Sequence, residues 1–139
     1  MRVQPGDVFE YEHTFSREDV EAFARLSGDR GRHHVEPDAQ GRLIVHGLLV
    51  CAVPTRLGAE IDYVARDSQW LFIRPIYVGR PMSAKVKITA VEAEERWWRI
   101  GMDIRIRDEN GRIAVRGESN GVILFDEEAH RGPVPDAVS

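Results

Sequence analysis

His46-Gly47-Leu48-Leu49-Val50-Cys51-Ala52-Val53-Pro54-Thr55-Arg56-Leu57 is the stretch on which the fold turns. From Leu48 to Val53 it is apolar on every side, and such a segment is stable only when buried all round. Strand and helix both fit so short a run. Its continuation through Thr55, Arg56 and Leu57 to Gly58 favours a helix of about twelve residues, Gly47 to Leu57. Pro54 should kink that helix or end its first half. The run is far short of the ~20 apolar residues a membrane crossing needs.

C-terminal to it the period changes from helical to two. Trp70, Phe72 and Arg74 alternate with Leu71 and Ile73 before Pro75. Met82, Ala84, Val86, Ile88 and Ala90 share one face, with Ser83, Lys85, Lys87 and Thr89 on the other. Trp98, Ile100, Met102, Ile104 and Ile106 repeat the pattern, which puts Trp98 inward and Trp97 outward. Asn110-Gly111 is a strong hairpin signal, and Arg112 to Phe125 returns as the last strand, with Gly117 and Gly121 as candidate bulges.

N-terminal to it, Val8 to Phe15 reads as a strand or extended arm. Ser16 is placed to cap a helix over Arg17 to Leu26, with Glu18 and Asp19 in its first turn and Gly28 as its stop. Asp29 to Arg42 lacks periodicity and is expected to be a loop. Helices early and long antiparallel strands late make an α+β chain. The sheet needs its apolar face covered, and Gly47 to Leu57 is the segment to cover it. The expected architecture is therefore a curved antiparallel sheet wrapped around a central helix.

The 139 residues suit a single domain, taken as 1–125, followed by a loose tail at 126–139. Nineteen basic against 23 acidic residues leave the chain at −4, without the cationic surplus that binding a nucleic-acid backbone requires. Cys51 is the single cysteine, which excludes an internal disulfide and any multi-thiolate metal site. The N-terminus lacks a signal-peptide core, so a cytoplasmic location is expected, with neither membrane nor nucleic acid as partner.

Polar groups crowd the loop without periodic cause: Asp29, Arg30, Arg32, His33, His34, Glu36 and Asp38, then His46-Gly47. Asp29 and His34, five apart across a glycine-bearing loop, can face one point, and a carboxylate beside an imidazole is suited to proton transfer near neutral pH. Gly47 opens the central helix, so its N–H is free to meet a developing oxyanion. Taken singly, Asp29 would be an ordinary turn residue. Asp29, His33, His34 and His46 also supply metal-type ligands. Consecutive histidines in an extended loop point in opposite directions, however, and no metal or cofactor is expected.

At these residues the chain resembles the MaoC-like hot-dog dehydratases, the (R)-specific enoyl-CoA hydratases. Ser27-Gly28-Asp29, His34 and His46-Gly47-Leu48-Leu49 match a motif that runs Gly-Asp-x-Asn-Pro-x-His and is followed by His-Gly at the start of the central helix. Gly6-Asp7, Phe15 to Val20, Phe72-x-Arg74-Pro75-Ile76-Tyr77-Val78-Gly79 and the Asn110-Gly111 hairpin extend the likeness along most of the chain. Gly31 and Arg32 replace the motif's Asn and Pro, and His33 replaces a usually aliphatic residue.

The resemblance implies a hot-dog fold and reversible hydration of an enoyl thioester carried by CoA or acyl carrier protein. It further implies Asp29 and His34 as the water-activating pair, Gly47 as donor to the thioester carbonyl, and a homodimer or higher oligomer. Arg30 and Arg32 near the pocket mouth, Arg74 and His46 make up the expected substrate-binding set, with His46 mainly an orienting residue. Arg74 should either pair with Asp29 or Glu36 or reach a carrier phosphate. A hot-dog thioesterase, or a non-catalytic subunit paired with an active one, is the competing reading.

Overall fold

The computed structural model describes residues 3–124. The expected tail at 126–139 lies outside the described residues. The chain runs β1 (Val8–Thr14), α1 (Arg17–Ser27), α2 (Arg32–Val35), α3 (Gly47–Val50), α4 (Thr55–Ile61), β2 (Val64–Phe72), β3 (Pro81–Ala93), β4 (Trp97–Arg107) and β5 (Ile113–Leu124). The five strands form one antiparallel sheet in the order β1-β3-β4-β5-β2. Its inner face is built by the alternation expected of β3 and β4. Met82, Ala84, Val86, Ile88, Ile100, Met102, Ile104 and Ile106 are buried in the core that also takes Val50, Val53, Leu57 and Ile61 from the central segment. This is the α+β hot-dog architecture.

Helix α1 begins and ends as the sequence dictates. Ser16 Oγ accepts from the Asp19 N–H at 3.1 Å while Asp19 Oδ2 accepts from the Ser16 N–H at 3.0 Å, a reciprocal capping box. Gly28 closes the helix at φ +79°, its N–H donating to the Ala24 carbonyl, and turns the chain into the loop that carries Asp29.

The central segment departs from one continuous helix. After α3 the chain tightens, with Ala52 N–H on the Leu49 carbonyl, Val53 on Val50 and Thr55 on Ala52, before α4 resumes. The cause is Pro54, which has no N–H for the Val50 carbonyl; the Val53 N–H takes that acceptor in a three-residue bond. Burial is not all round either, since Leu48 is 66% exposed.

Elsewhere the corrections are of register. The Asp29–Arg42 loop contains the helical turn α2. Strand β2 starts at Val64 and ends at Phe72, so Ile73 and Arg74 lie beyond it. A bulge between Ile88 and Ala90 shifts β3 so that Val91, opposite Ile100, packs on the core where alternation pointed to Ala90. Gly117 and Gly121 are not bulges. A Cβ on Gly117 would stand 2.4 Å from the Trp70 ring, and one on Gly121 2.2 Å from the Val64 carbonyl. These glycines admit β2 and Tyr63 against β5. Trp98 packs on the core as expected, and Trp97 is half-buried.

The hairpin at 108–112 is closed by Asp108 rather than by the Asn-Gly pair alone. Asp108 Oδ1 accepts from the Asn110 and Arg112 N–H groups, and only Gly111 of the pair has positive φ. Asp38-Ala39-Gln40-Gly41-Arg42 closes in the same way, with Asp38 Oδ1 accepting from Gln40 and Arg42. Arg42 then lies 4.7 Å over the Tyr77 ring, beside the Ile44–Tyr77 bridge. That bridge positions Ile44, which the site uses.

Candidate active site

Asp29 is held from several sides. Its N–H donates to Ser27 Oγ at 3.0 Å, and its Oδ1 accepts from the Gly31 N–H at 3.0 Å. Oδ2 remains directed at His34. The α2 turn lifts His34 inward to 6% exposure, and the Ile44 backbone clamps that turn at its two middle residues. Ile44 N–H donates to the His33 carbonyl at 3.1 Å, and His34 Nδ1 meets the Ile44 carbonyl at 2.7 Å. A carbonyl can only accept, so Nδ1 carries the hydrogen and Nε2 keeps its lone pair.

His34 Nε2 stands 3.8 Å from Asp29 Oδ2. Burial pushes the His34 imidazole below its ordinary value, against the opposing pull of the Ile44 carbonyl. The Gly31 N–H is the main cause holding the Asp29 carboxyl below its own. Near neutral pH the pair is therefore a carboxylate and a neutral imidazole, two acceptors facing one gap too wide for a direct hydrogen bond. Such a gap suits a molecule that donates to both, as water does.

Behind His34 lies His46, 2% exposed, its ring stacked on that of His34 with centroids 3.8 Å apart and planes 19° from parallel. His46 Nε2 meets the Asp29 carbonyl at 2.9 Å. The His33 ring stands 3.9 Å from that of His34 on its own side. The helical turn thus brings consecutive histidines together where an extended loop would have parted them. Ligand-type atoms of Asp29, His34 and His46 come within 4.8 Å of one another. Imidazole lone pairs lie in the ring plane, and two nearly parallel stacked rings do not aim theirs at one ion. The stacked rings are therefore poorly placed to chelate one ion together.

Gly47 follows His46 directly and opens α3, so its N–H has no intrahelical acceptor. A Cβ here would stand 2.6 Å from the Phe72 ring. A side chain at this position would have to displace that ring. Asp29, His34, His46, Gly47, Phe72 and Arg74 all line one cavity of about 500 Å³. A second cavity, about 670 Å³ and walled by Cys51, Gly58, Tyr63 and Trp70, shares Leu48 with it. Burial pushes the Cys51 thiol up to about 12, so it is a packing group there.

The structure gathers Asp29, His34, His46, Gly47 and Arg74 around this cavity and leaves Arg30 and Arg32 outside it. Arg74 is exposed on the cavity wall, with Nη1 donating to the Ile113 carbonyl at 2.7 Å, and it forms no ion pair with Asp29 or Glu36 among the described residues. Arg32 pairs with Glu36 at 2.9 Å, and neither Arg32 nor Arg30 lines this cavity. Ile44 and Phe72 are contributors that residue chemistry does not announce. The first acts through a backbone carbonyl, the second through an apolar ring at a strand end.

No protein-family model matches the chain. The mitochondrial 3-hydroxyacyl-[acyl-carrier-protein] dehydratase of Arabidopsis thaliana is 25% identical over 126 residues, 85% of this chain and 76% of that protein. The (R)-specific enoyl-CoA hydratase of Aeromonas caviae is 30% identical over 116 residues, 76% of this chain and 84% of that protein. The solved structure of the A. caviae (R)-hydratase involved in PHA biosynthesis matches with a TM-score of 0.78 at 28% identity, covering 88% of this chain and 98% of that one.

Proposed function

The chain belongs to the MaoC-like hot-dog dehydratases, the family of (R)-specific enoyl-CoA hydratases, and on that premise we propose that Asp29 and His34 activate the water that it adds to an enoyl thioester. One observation carries the assignment: two unprotonated acceptors, Asp29 Oδ2 and His34 Nε2, face each other across 3.8 Å in a cavity. A water held between them loses a proton to one of the pair as its oxygen bonds to the β-carbon. Electron density moves onto the thioester oxygen, where the Gly47 N–H donates, and the same proton or its equivalent is returned to the α-carbon. The reverse sequence is dehydration of a 3-hydroxyacyl thioester, run by the same groups. Because α3 is four residues long, Gly47 contributes a positioned hydrogen bond more than a long helix dipole. In other enzymes one such donor is worth about 3 kcal/mol of barrier.

The acyl chain is assigned to the second, apolar cavity, entered past Leu48. The carrier, CoA or acyl carrier protein, is assigned to the open side of the first, where Arg74 is exposed. Strand β2 is a sheet edge, and Leu48, Leu71, Phe72 and Ile73 are exposed near it. An unpaired edge beside exposed apolar groups is suited to a second hot-dog copy.

The test is hydration of crotonyl-CoA, followed by loss of enoyl absorbance together with a thiol reagent. Asp29→Asn and His34→Ala should each lower kcat by roughly 10²–10⁴-fold with the fold intact by circular dichroism. Normal hydration by both variants refutes the assignment. Thiol release without hydration identifies a thioesterase instead.

A further inference from the structure

We infer that His46 is a positioning residue, a tie between the loop that carries the base and the residue that carries the oxyanion donor. The inference rests on the roles proposed above for Asp29, His34 and Gly47. His46 Nε2 must carry a hydrogen, because the Asp29 carbonyl at 2.9 Å can only accept. His46 Nδ1 is buried with no partner among the described residues. A lone pair there costs less than a buried N–H with nothing to meet, so the hydrogen-bonding pattern selects the Nε2–H tautomer.

The two stacked rings accordingly carry opposite tautomers, His34 through Nδ1–H on Ile44 and His46 through Nε2–H on Asp29. Each ring is fastened to the backbone by one bond, and each supports the other face to face. Phe23 also packs against His46, with ring centroids 4.9 Å apart and planes 62° from parallel. Gly47 follows His46 in the chain, so the same side chain that grips the Asp29 backbone also anchors the start of α3. Loss of the His46 donor frees the Asp29 carbonyl, while Ser27 Oγ and the Gly31 N–H still hold the rest of that residue. The expected consequence is a displaced carboxylate, not a lost one. Misplacement of a catalytic group by about 1 Å costs on the order of 10²-fold in rate.

The experiment measures kcat and KM for crotonyl-CoA hydration with the full chain. His46→Phe keeps an aromatic ring for the stack but has no donor; His46→Gln places an amide N–H near the former Nε2. The tie predicts that His46→Phe lowers kcat by about 10²-fold, with KM and the affinity for a saturated acyl-CoA changed by no more than about twofold. His46→Gln should recover at least about tenfold over His46→Phe. His46→Leu serves as the donor-free variant if His46→Phe does not fold. The inference is overturned if the donor-free variant keeps wild-type kcat, or if His46→Gln is as slow as it. It is also overturned if affinity for the saturated ester falls in step with kcat, which marks a merely structural residue. Asp29→Asn assayed alongside separates the two readings: full activity there refutes the base assignment, whereas a slow Asp29→Asn beside a fast His46→Phe refutes the tie alone.

Discussion

His34 shows how a residue whose chemistry is plain from its type acquires its particular state from a neighbour. The imidazole was an obvious base candidate from the crowding of polar groups between residues 29 and 47. Its burial and its bond to the Ile44 carbonyl are what leave a lone pair on Nε2. Burial lowers its proton affinity below that of a free imidazole, about 6.5. The acid limb of kcat/KM should therefore fall with a midpoint below about 6.5. Stability follows the same sign. As pH drops through the ordinary imidazole value the unfolded chain takes a proton that the folded chain does not, so the contribution present at neutral pH declines toward the lowered folded value. Urea midpoints across pH 5 to 8 that rise on acidification, with His34→Gln as the control, would contradict it. The arginines mark the opposite limit. Arg30 and Arg32 are charged and close in sequence to Asp29 and His34, but nearness along the chain does not bring them to this cavity.

Local rules predicted the elements best where one residue type serves one backbone need. The Ser16–Asp19 capping box and the Gly28 stop are satisfied as sequence chemistry requires. The break in the central segment is local too, set by Pro54, whereas the β3 bulge and the tight glycines depend on what lies opposite. Gly121 and Gly58 make the contrast measurable. At Gly121 a Cβ meets the Val64 carbonyl at 2.2 Å, a backbone atom that cannot turn aside, so Gly121→Ala should destabilise by about 1–3 kcal/mol or more. At Gly58, inside α4, a Cβ has nothing nearer than the Tyr63 carbonyl at 3.7 Å, so Gly58→Ala should stabilise by roughly 0.5–1 kcal/mol through helix propensity. Denaturant unfolding of the two variants should show shifts of opposite sign. Shifts of the same sign would mean that the packing around β2 and β5 is misjudged.

At the scale of the molecule, the sheet leaves β2 at an edge, and that edge ends at the mouth of the site. Phe72 belongs both to the exposed apolar group and to the wall over Gly47. Assembly and activity should consequently be linked. Leu71→Glu, which puts a charge on the exposed β2 edge without touching Asp29 or His34, should yield a monomer by light scattering and lose hydration activity at the same protein concentration. A fully active monomer would show that one chain suffices. No helix among the described residues is long and apolar enough to cross a membrane, in line with the short apolar run at 48–53.

Fold class, the helix cap, the inward faces of β3 and β4 and the proposed acid–base pair were all written in local pattern. Period, capping chemistry and residue type act over a few neighbours, and the sequence lays those out in order. Where Leu48 stands, which face Val91 takes, what covers Gly47 and which nitrogen of each histidine carries its hydrogen were settled by groups elsewhere in the chain. Phe72 reaches Gly47 from 25 residues on, and Ile44 fixes His34 through a carbonyl that every residue type possesses. Contacts of that kind leave no mark in composition or period, because they come into being only when the sheet closes over the central segment.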